Sequence, residues 1–554
     1  MAVETQAASP FRIPIFRALW IAALVSNLGT WMHSVGAAWL LTDLSRSPGV
    51  IALLAAASAL PVFVLSLPAG ALADVVDRRK LLLVTQTWMF AVAAAFAAMA
   101  LLGRSTPALV LVLTGLLAVG SALNMPAWSA ITPELVPREQ LPQAIVLNGV
   151  AMNASQAIGP AIGGAIVAAS GPGLVFLLNA VSFIAVIVVV YGWRRLPDEH
   201  RLPPEHVLGA VRAGARYALH APPLQAVLVR AVGFMLPLAA LISLLPLIAR
   251  QRLGLGAGGY GLLAGCAGVG AVAAAVVVPR IGRRASPDRK LALATVLEAG
   301  VLAGYAITRE PAVAYGLALV SGIGQMLAMS TLNLAAQSVL PGWVRGRGLA
   351  LFMLTFQIAI AAGAFLWGAV ATRGSLALAC AVAALTLLGS LVLLAVPRFR
   401  LDASSSLDVT PSQWPEPHVV LDPDPNDGPI MVLTDYHVRG EDDAAFALAL
   451  HGLAARRRRG GAIKWGAYRD LTQPGRWVEM YVVSSWAEHL RQRARSVASD
   501  HGAWLAVRAF DVREEGPQVR HHLAGRPGHP APDAHAAMSE IAGLLPAAAP
   551  VPGG

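Results

Sequence analysis

The sequence predicts an all-α polytopic membrane protein with a small α+β domain near its C-terminal end. Three observations predict it. The chain has 554 residues, 56% hydrophobic and 13% charged, where a soluble protein carries roughly 25% charged residues. Its mean hydropathy is +0.61. Apolar runs long enough to cross a bilayer, about 20 residues each, recur as far as Arg400, and beyond it the composition turns polar.

Twelve such runs can be read, at 17–42, 49–73, 81–102, 108–132, 142–169, 173–192, 224–249, 258–279, 290–307, 312–340, 347–372 and 375–396. The opening MAVETQAASPFRIPIF holds an acid, two prolines and no small-residue cleavage site. The first run is therefore expected to stay as a membrane helix and not to be removed as a secretory signal. The connections alternate in character. DVVDRRK, WRRLPDEHRLPPEH, PRIGRRASPDRK and VRGRG are rich in bases, whereas LSRSP, GRSTP, SGPG, TREP and RGS are short and poor in them. Bases concentrate in cytoplasmic loops, so the first set is expected in the cytoplasm, and an even helix count puts both termini there. The bases of these loops contribute to the net charge of +11. No zinc-finger spacing or aromatic–basic stripe points to nucleic acid. Cys266 and Cys380 lie inside apolar runs and read as core residues, not as a disulfide.

The two halves look related. LNMPAWSAI from Leu123 resembles LNLAAQSVL from Leu332, and the same register sets Asn148 against Gln357 and Gly159 against Gly368. Duplicated six-helix bundles around a long basic loop are an architecture of transporters. The expected organisation is a cytoplasmic N-terminus (1–16), a first bundle (17–192), a central cytoplasmic loop (193–223) and a second bundle (224–400). A Pro/Ser/Asp-rich linker (401–428) leads to a soluble domain (429–524) and a Pro/Ala/Gly-rich tail (525–554) expected to be disordered. In the soluble domain IMVLTDYHV alternates as a strand. EDDAAFALALHGLAARRRR is helical, with acids at its start and bases at its end as the helix dipole favours. AIKWGAYRDL and RWVEMYVVSS are strands about a Pro474-Gly475 turn, SWAEHLRQRARSVASDHGAWLAVRAF is helical, and QVRHHLA is a last strand. The order βαββαβ is that of a ferredoxin-like sandwich. His437, His489 and His501 show no metal spacing and read as surface or packing residues; no cofactor or metal is expected.

Two stretches carry mechanism. In GALADVVDRRK, Gly70 permits close helix approach, and the Asp74 carboxylate at a helix end can bond free N–H groups of another helix's N-terminus. Arg78 and Arg79 can pair with Asp74, Asp77 or Glu134, and Asp77 is expected to pair locally with an arginine. Contacts of this kind across the two bundles would form a latch, closed when the bundles touch on the cytoplasmic side. In QAIGPAIGGAIV, Gly159, Pro160, Gly163 and Gly164 combine small residues for close packing with a proline that bends the helix. Within the spans, Asn27, Trp31, His33, Asn124, Trp128, Asn148, Gln156, Gln325, Asn333 and Gln357 are candidates to line a polar cavity with aromatic walls, some of them bonding helix to helix instead. His33 is a candidate proton carrier, because its ordinary pKa lies near neutrality. Glu298 is expected close enough to a basic loop to be hydrated.

GALADVVDRRK resembles the loop between the second and third helices of the major facilitator superfamily, roughly G-x-L-A-D-x-x-G-R-[RK]. Gly70, Leu72, Ala73, Asp74, Arg78 and Arg79 match, and Asp77 stands where glycine is usual. G-P-x-x-G-G resembles the antiporter motif of the same superfamily, which implies export. SNLGTWMHSVGAAWLLTDLSRSP, ALADVVDRR and the soluble RWVEMYVVSSWAEHLRQ are similar to the enterobactin-exporter-like, transmembrane secretion effector branch. That resemblance implies twelve helices in two bundles and export of a small molecule such as a siderophore, with H+ as coupling ion. LTGLLAVGSALNMPAW departs from the pattern, lacking the arginine that many proton-coupled drug exporters carry in the fourth helix. The soluble domain is similar to dimeric α/β-barrel domains, antibiotic-biosynthesis monooxygenases among them, which implies a homodimer. Arg456–Arg459 form a basic helix end able to touch anionic lipid. Two other readings stay open: a membrane-tethered enzyme acting through residues 429–524, and a sensor or scaffold without transport.

Overall fold

A computed structural model describes residues 9–193, 219–281, 285–340, 345–401, 423–424, 427–494 and 498–525. The expected central loop from 194 to 218, most of the linker and the tail from 526 lie outside the described residues. So do the side chains of Asp74 and His501, although the backbone at both, and at Gly70, is helical.

The twelve spans are helices: α1 (Pro14–Leu44), α2 (Pro48–Val75), α3 (Arg78–Leu101), α4 (Pro107–Leu135), α5 (Leu141–Ser170), α6 (Pro172–Gly192), α7 (Pro222–Leu247), α8 (Ala257–Ile281), α9 (Pro287–Ile307), α10 (Pro311–Ser338), α11 (Arg345–Arg373) and α12 (Leu376–Gly389). Among the described residues twelve helices are long and apolar enough to cross a membrane, and the chain is a multi-pass membrane protein. Their starts follow from local chemistry. Proline occupies the first turn of α1, α2, α4, α6 and α9, where its missing N–H costs nothing. Thr106, Ser286 and Ser375 accept from the N–H of Leu109, Arg289 and Leu378, capping α4, α9 and α12. The first bundle packs Phe16 and Leu19 of α1, Leu82 of α3, Ile131 of α4 and Val190 of α6 into one cluster. Large apolar side chains such as Val84, Val188 and Leu385 stand on the outside, an arrangement stable only where lipid replaces water.

The C-terminal residues form a second unit. Its elements are β1 (Ile430–His437), α13 (Asp443–Gly460), β2 (Lys464–Arg469), β3 (Arg476–Val483), α14 (Trp486–Ala494), α15 (Ala498–Arg508) and β4 (Gln518–Leu523). The sheet order is β2-β3-β1-β4, antiparallel throughout. Element order and sheet order together are those of a ferredoxin-like sandwich. The expected second helix is described in two pieces, α14 and α15. One sheet face is covered: Tyr436 and Trp477 pack with Phe446 and Leu450 of α13 and Val507 of α15, while Val432 and Tyr481 pack with Trp486 of α14. On the other face the register brings together Met431 and Val482, Leu433 and Met480, and Asp435 and Val478.

The covered face holds an ion pair. Glu479 is 0% exposed and accepts from Arg457 Nε and Nη2 at 2.9 and 3.1 Å, from Trp465 Nε1 at 3.0 Å and from the Tyr436 hydroxyl at 3.2 Å. Burial by itself would raise the Glu479 pKa. The Arg457 charge and these hydrogen bonds outweigh it and hold the carboxyl below its usual range. Stability from a depressed carboxylate is present above its unfolded pKa and is lost as pH falls through the lower folded value. Glu479→Ala removes the bidentate carboxylate partner of the buried Arg457, at a cost of about 3–5 kcal/mol. Hydrogen exchange on the full chain is expected to show β1 and β3 opening more readily in this variant, and an unchanged pattern would refute the pair's role. Acidification of the unmodified chain is expected to open the same strands.

Candidate functional site

The two halves meet at the end of the helices that carries the base-poor loops. There α5 and α8 approach backbone to backbone. A Cβ placed on Gly164 would stand 2.5 Å from Gly261 Cα and 2.9 Å from the Ala257 carbonyl oxygen. One placed on Gly261 would meet the Pro160 carbonyl oxygen at 2.8 Å, and one on Gly265 would meet Ala161 Cβ at 2.9 Å. Gly268 is equally tight against Ala157. At Gly164, Gly261, Gly265 and Gly268 a Cβ would collide with the facing helix, so glycine is required there by space and not by backbone angle. The other glycines of the motif turn the opposite way, onto α1: a Cβ on Gly159 would stand 2.6 Å from Trp31 Cβ, and one on Gly163 would stand 2.8 Å from Met32 Cα. G-P-x-x-G-G thus joins α5 both to its own bundle and to the other half.

Two further contacts close the same end. Thr372 of α11 accepts from the Gly49 N–H of α2 at 3.0 Å, and Ala56 and Ala59 of α2 pack on Ala361 of α11. α7 runs into a π-helical turn, Ile248–Arg252. From it Arg250 donates to the Thr42 carbonyl oxygen at 2.7 Å, pairs with Asp43 and lies over the Trp39 ring at 5.8 Å. Trp39 in turn stacks near Tyr260 of α8. The bases Arg250 and Arg252 interrupt an otherwise base-poor end, and both are engaged, Arg252 with the Ala306 carbonyl oxygen at 2.8 Å.

At the base-rich end the described contacts of the expected latch run within the first six helices. Arg78 pairs with Glu134 of α4 at 2.6 Å. Arg79 donates to the carbonyl oxygens of Val190 and Tyr191 at 3.1 and 2.5 Å, satisfying the last turn of α6. Asp77, expected to pair with an arginine, also acts as an N-cap: Oδ1 accepts from the Lys80 N–H at 3.0 Å and starts α3. Aspartate and glycine are both favoured at this position, which explains how aspartate stands where the superfamily pattern has glycine.

The intramembrane polar residues scatter. His33 was expected to line a cavity or carry a proton. Instead it is 4% exposed, packed between Phe96 of α3 and Phe176 of α6 with ring centroids 4.7 and 4.6 Å away. Neither ring nitrogen has a hydrogen-bond partner among the described residues. A relay needs polar neighbours, so this position serves packing. Asn124 accepts from Thr85 and Gln86 of α3 at 3.0 and 3.3 Å, and Asn148 donates to Thr132 of α4 at 3.2 Å; both bond helix to helix. Asn333 accepts from Gln337 on its own helix at 2.7 Å. Trp128 packs on the first-bundle core. Asn27, Trp31 and Gln357 are half-buried, and Gln156 is exposed. Glu298, expected to be hydrated, is 0% exposed. Its oxygens accept from the Ser321 hydroxyl of α10 at 3.0 and 3.1 Å, and Ser321 accepts from Gln325 at 2.8 Å.

In the C-terminal unit His489 and His521 approach Nε2 to Nε2 at 3.0 Å beside Trp486. His521 was missed in the sequence because it faces α14 only through the β4 register. His437 lies in β1 away from them. No group of three or more His, Cys, Asp or Glu able to hold a metal occurs among the described residues.

Twelve helices in two halves that close at one end define a membrane protein of the major facilitator fold. Solved structures agree. The inward-facing, unoccupied bacterial homologue of the lysosomal transporter Spinster superposes with a TM-score of 0.54 at 13% identity, over 71% of this chain and 97% of that one. The nucleoside transporter NupG gives 0.54 at 13% identity, over 70% and 99%. The chain belongs to the transmembrane secretion effector family, whose model matches residues 5–528. It is 30% identical over 185 residues to YfiS of Bacillus subtilis, described as an uncharacterized MFS-type transporter, covering 32% of this chain and 43% of that protein. It is 29% identical over 163 residues to the staphyloferrin A transporter of Staphylococcus aureus, covering 29% and 41%. The enterobactin exporter EntS of Escherichia coli O9:H4 is 25% identical over 284 residues, covering 51% and 67%. The match thus spans less than half the length of the first two relatives.

A Cβ on Gly258 would lie 3.5 Å from Ala168 Cβ, within the range of a disulfide, about 3.5–4.5 Å. In a background without Cys266 and Cys380, Ala168→Cys with Gly258→Cys is expected to cross-link on oxidation. Cleavage in the central loop followed by gel analysis reads the product, and two separate fragments without reductant would refute the seam.

Proposed function

We propose that the chain is a secondary transporter that exports a small molecule, a siderophore or drug-like secondary metabolite, across the cytoplasmic membrane by alternating access. The observation that carries this reading is the seam of α5 on α8, where two halves meet through glycines at one end of the bundle. A backbone contact without interlocking side chains can part and reform, as alternating access requires. Membership of the family and the named siderophore transporters among its relatives support the substrate class. The alternation of basic loops supports a cytoplasmic base-rich end with both termini, and the described contacts between the halves lie at the opposite end. In the outward-facing state Asp74 engages an N-terminus of the second half, with Arg78, Arg79 and Glu134 holding the loop in place. The coupling ion is H+.

Residues 429–524 act as a cytoplasmic module rather than an enzyme. The second sheet face, with the half-buried apolar side chains of Met431, Leu433, Met480 and Val482, supports pairing of two copies through that module.

Loss of accumulation defects is the direct test. Cells expressing the chain are expected to retain less of at least one siderophore or drug than cells without it, and collapse of the pH gradient is expected to remove the difference. Asp74→Asn is expected to lower the export rate roughly tenfold, the scale of a conformational coupling of about 1–3 kcal/mol. Oxidation of the Ala168→Cys, Gly258→Cys pair is expected to stop export and reductant to restore it. Unchanged retention of every compound by a correctly inserted protein would count against transport.

A further inference from the structure

We propose that Glu298 is a proton-binding site of the second bundle, reached through Ser321 and Gln325 of α10. It sits midway along α9 and is 0% exposed. An ionisable side chain at this depth is expensive to keep and needs a partner. Among the described residues no cation lies within ion-pair reach of it. Its hydrogen bonds come from neutral groups of α10, the Ser321 hydroxyl at 3.0 and 3.1 Å and the Gln325 backbone N–H, and the Ser321 hydroxyl is in turn bonded by the Gln325 side-chain amide at 2.8 Å. The carboxylate fills the space above Gly324, where a Cβ would stand 2.8 Å from Oε1. A permanently charged group would face this pocket with neutral donors only, while a permanently neutral one would be served as well by glutamine. A carboxyl that alternates fits the site, since the Ser321 hydroxyl can donate to the charged form and accept from the protonated one.

Among the described residues no competing base faces the carboxyl. The titratable group beside Glu298 is Tyr305 two turns along α9, whose hydroxyl is engaged by donating to the Ala314 carbonyl oxygen at 3.0 Å; the thiols of Cys266 on α8 and Cys380 on α12 lie near Tyr305 in turn. α10 contributes only the neutral Ser321 and Gln325. The chain Glu298–Ser321–Gln325 runs from full burial to a half-buried position on α10, which gives the proton an exit that the aromatic box around His33 lacks. α10 also touches α8 backbone to backbone, Gly322 against the Ala267 carbonyl oxygen. α8 is the helix that forms the seam with α5. A change of charge beside Ser321 therefore acts one helix away from the contact between the halves.

The role in coupling rests on the proposed export; the proton binding does not. Infrared difference spectra of the purified full chain, recorded across a pH titration, test it. The expected result is a protonated-carboxyl band that loses intensity as pH rises and is absent in Glu298→Gln. Glutamine keeps the volume and the hydrogen bonds, and Ser321→Ala provides a second variant in which the midpoint of that band moves. A Glu298 band that is constant over the whole titration, or no band that disappears in the variant, overturns the proposal. Export with an intact pH dependence in Glu298→Gln also overturns it as the coupling site. A titrating band in a protein that moves no compound would instead sink the export reading and leave proton binding standing.

Discussion

The close approach of α5 and α8 at Gly164 and Gly261 is the contact on which the arrangement of the two halves depends. In lipid there is no hydrophobic drive to bring helices together, because acyl chains are as apolar as leucine. What remains is packing, and packing at backbone distance demands the absence of side chains. Gly164, Gly261, Gly265 and Gly268 meet that demand on two helices from different halves. Gly159 and Gly163 meet it on the other side of α5, against Trp31 and Met32. One helix therefore reports the position of each half to the other. The Arg250–Asp43 pair sits at the rim of the same end, partly exposed on both sides. A pair so exposed is worth little in stability, typically below about 1 kcal/mol, and is correspondingly easy to break.

The opposite end is built from charge. Arg79 spends its guanidinium on the carbonyl oxygens that end α6, and Asp77 spends its carboxylate on an N–H that begins α3. Both are helix-end interactions within one bundle. Arg78 with Glu134 adds a third tie inside that bundle. These contacts hold the loop between α2 and α3 against its own half, which is what a loop must have before it can present Asp74 to anything else. The two ends thus use different physics: shape at the base-poor end, electrostatics at the base-rich end.

How much of this was legible in the sequence follows from the range of each interaction. Hydropathy, first-turn prolines and capping residues act within a few residues, and the twelve spans and the βαββαβ order could be read from them. The glycine spacing of G-P-x-x-G-G showed that α5 has a close partner, but not that the partner is α8, since Gly261, Gly265 and Gly268 are spread through an unremarkable apolar run. Asn124 and Asn148 looked like cavity residues because polarity inside a span has two explanations, and only the neighbours Thr85, Gln86 and Thr132 decide between them. His33 failed for the same reason in reverse: its neighbours are Phe96 and Phe176, sixty and more positions away. His521 and His489 meet through a strand register that no local signal encodes.

Two buried glutamates show how the same side chain is put to different uses. Glu479 is surrounded by donors that match it: a bidentate guanidinium, an indole N–H and a phenol. Every lone-pair direction is served by a group that favours the charged form, so the residue is held as an anion and works as a structural tie between β3 and α13. Glu298 is as deeply buried, but its partners are neutral, the Gln325 backbone N–H and the Ser321 hydroxyl, which can give or take a hydrogen bond. An interior that meant to keep a fixed charge would supply a cation, as the soluble unit does at Arg457. An interior that needed only shape would carry an apolar or amide side chain. The site at Glu298 supplies neither, and an environment that tolerates both protonation states without specifying one is what a reversible proton site requires.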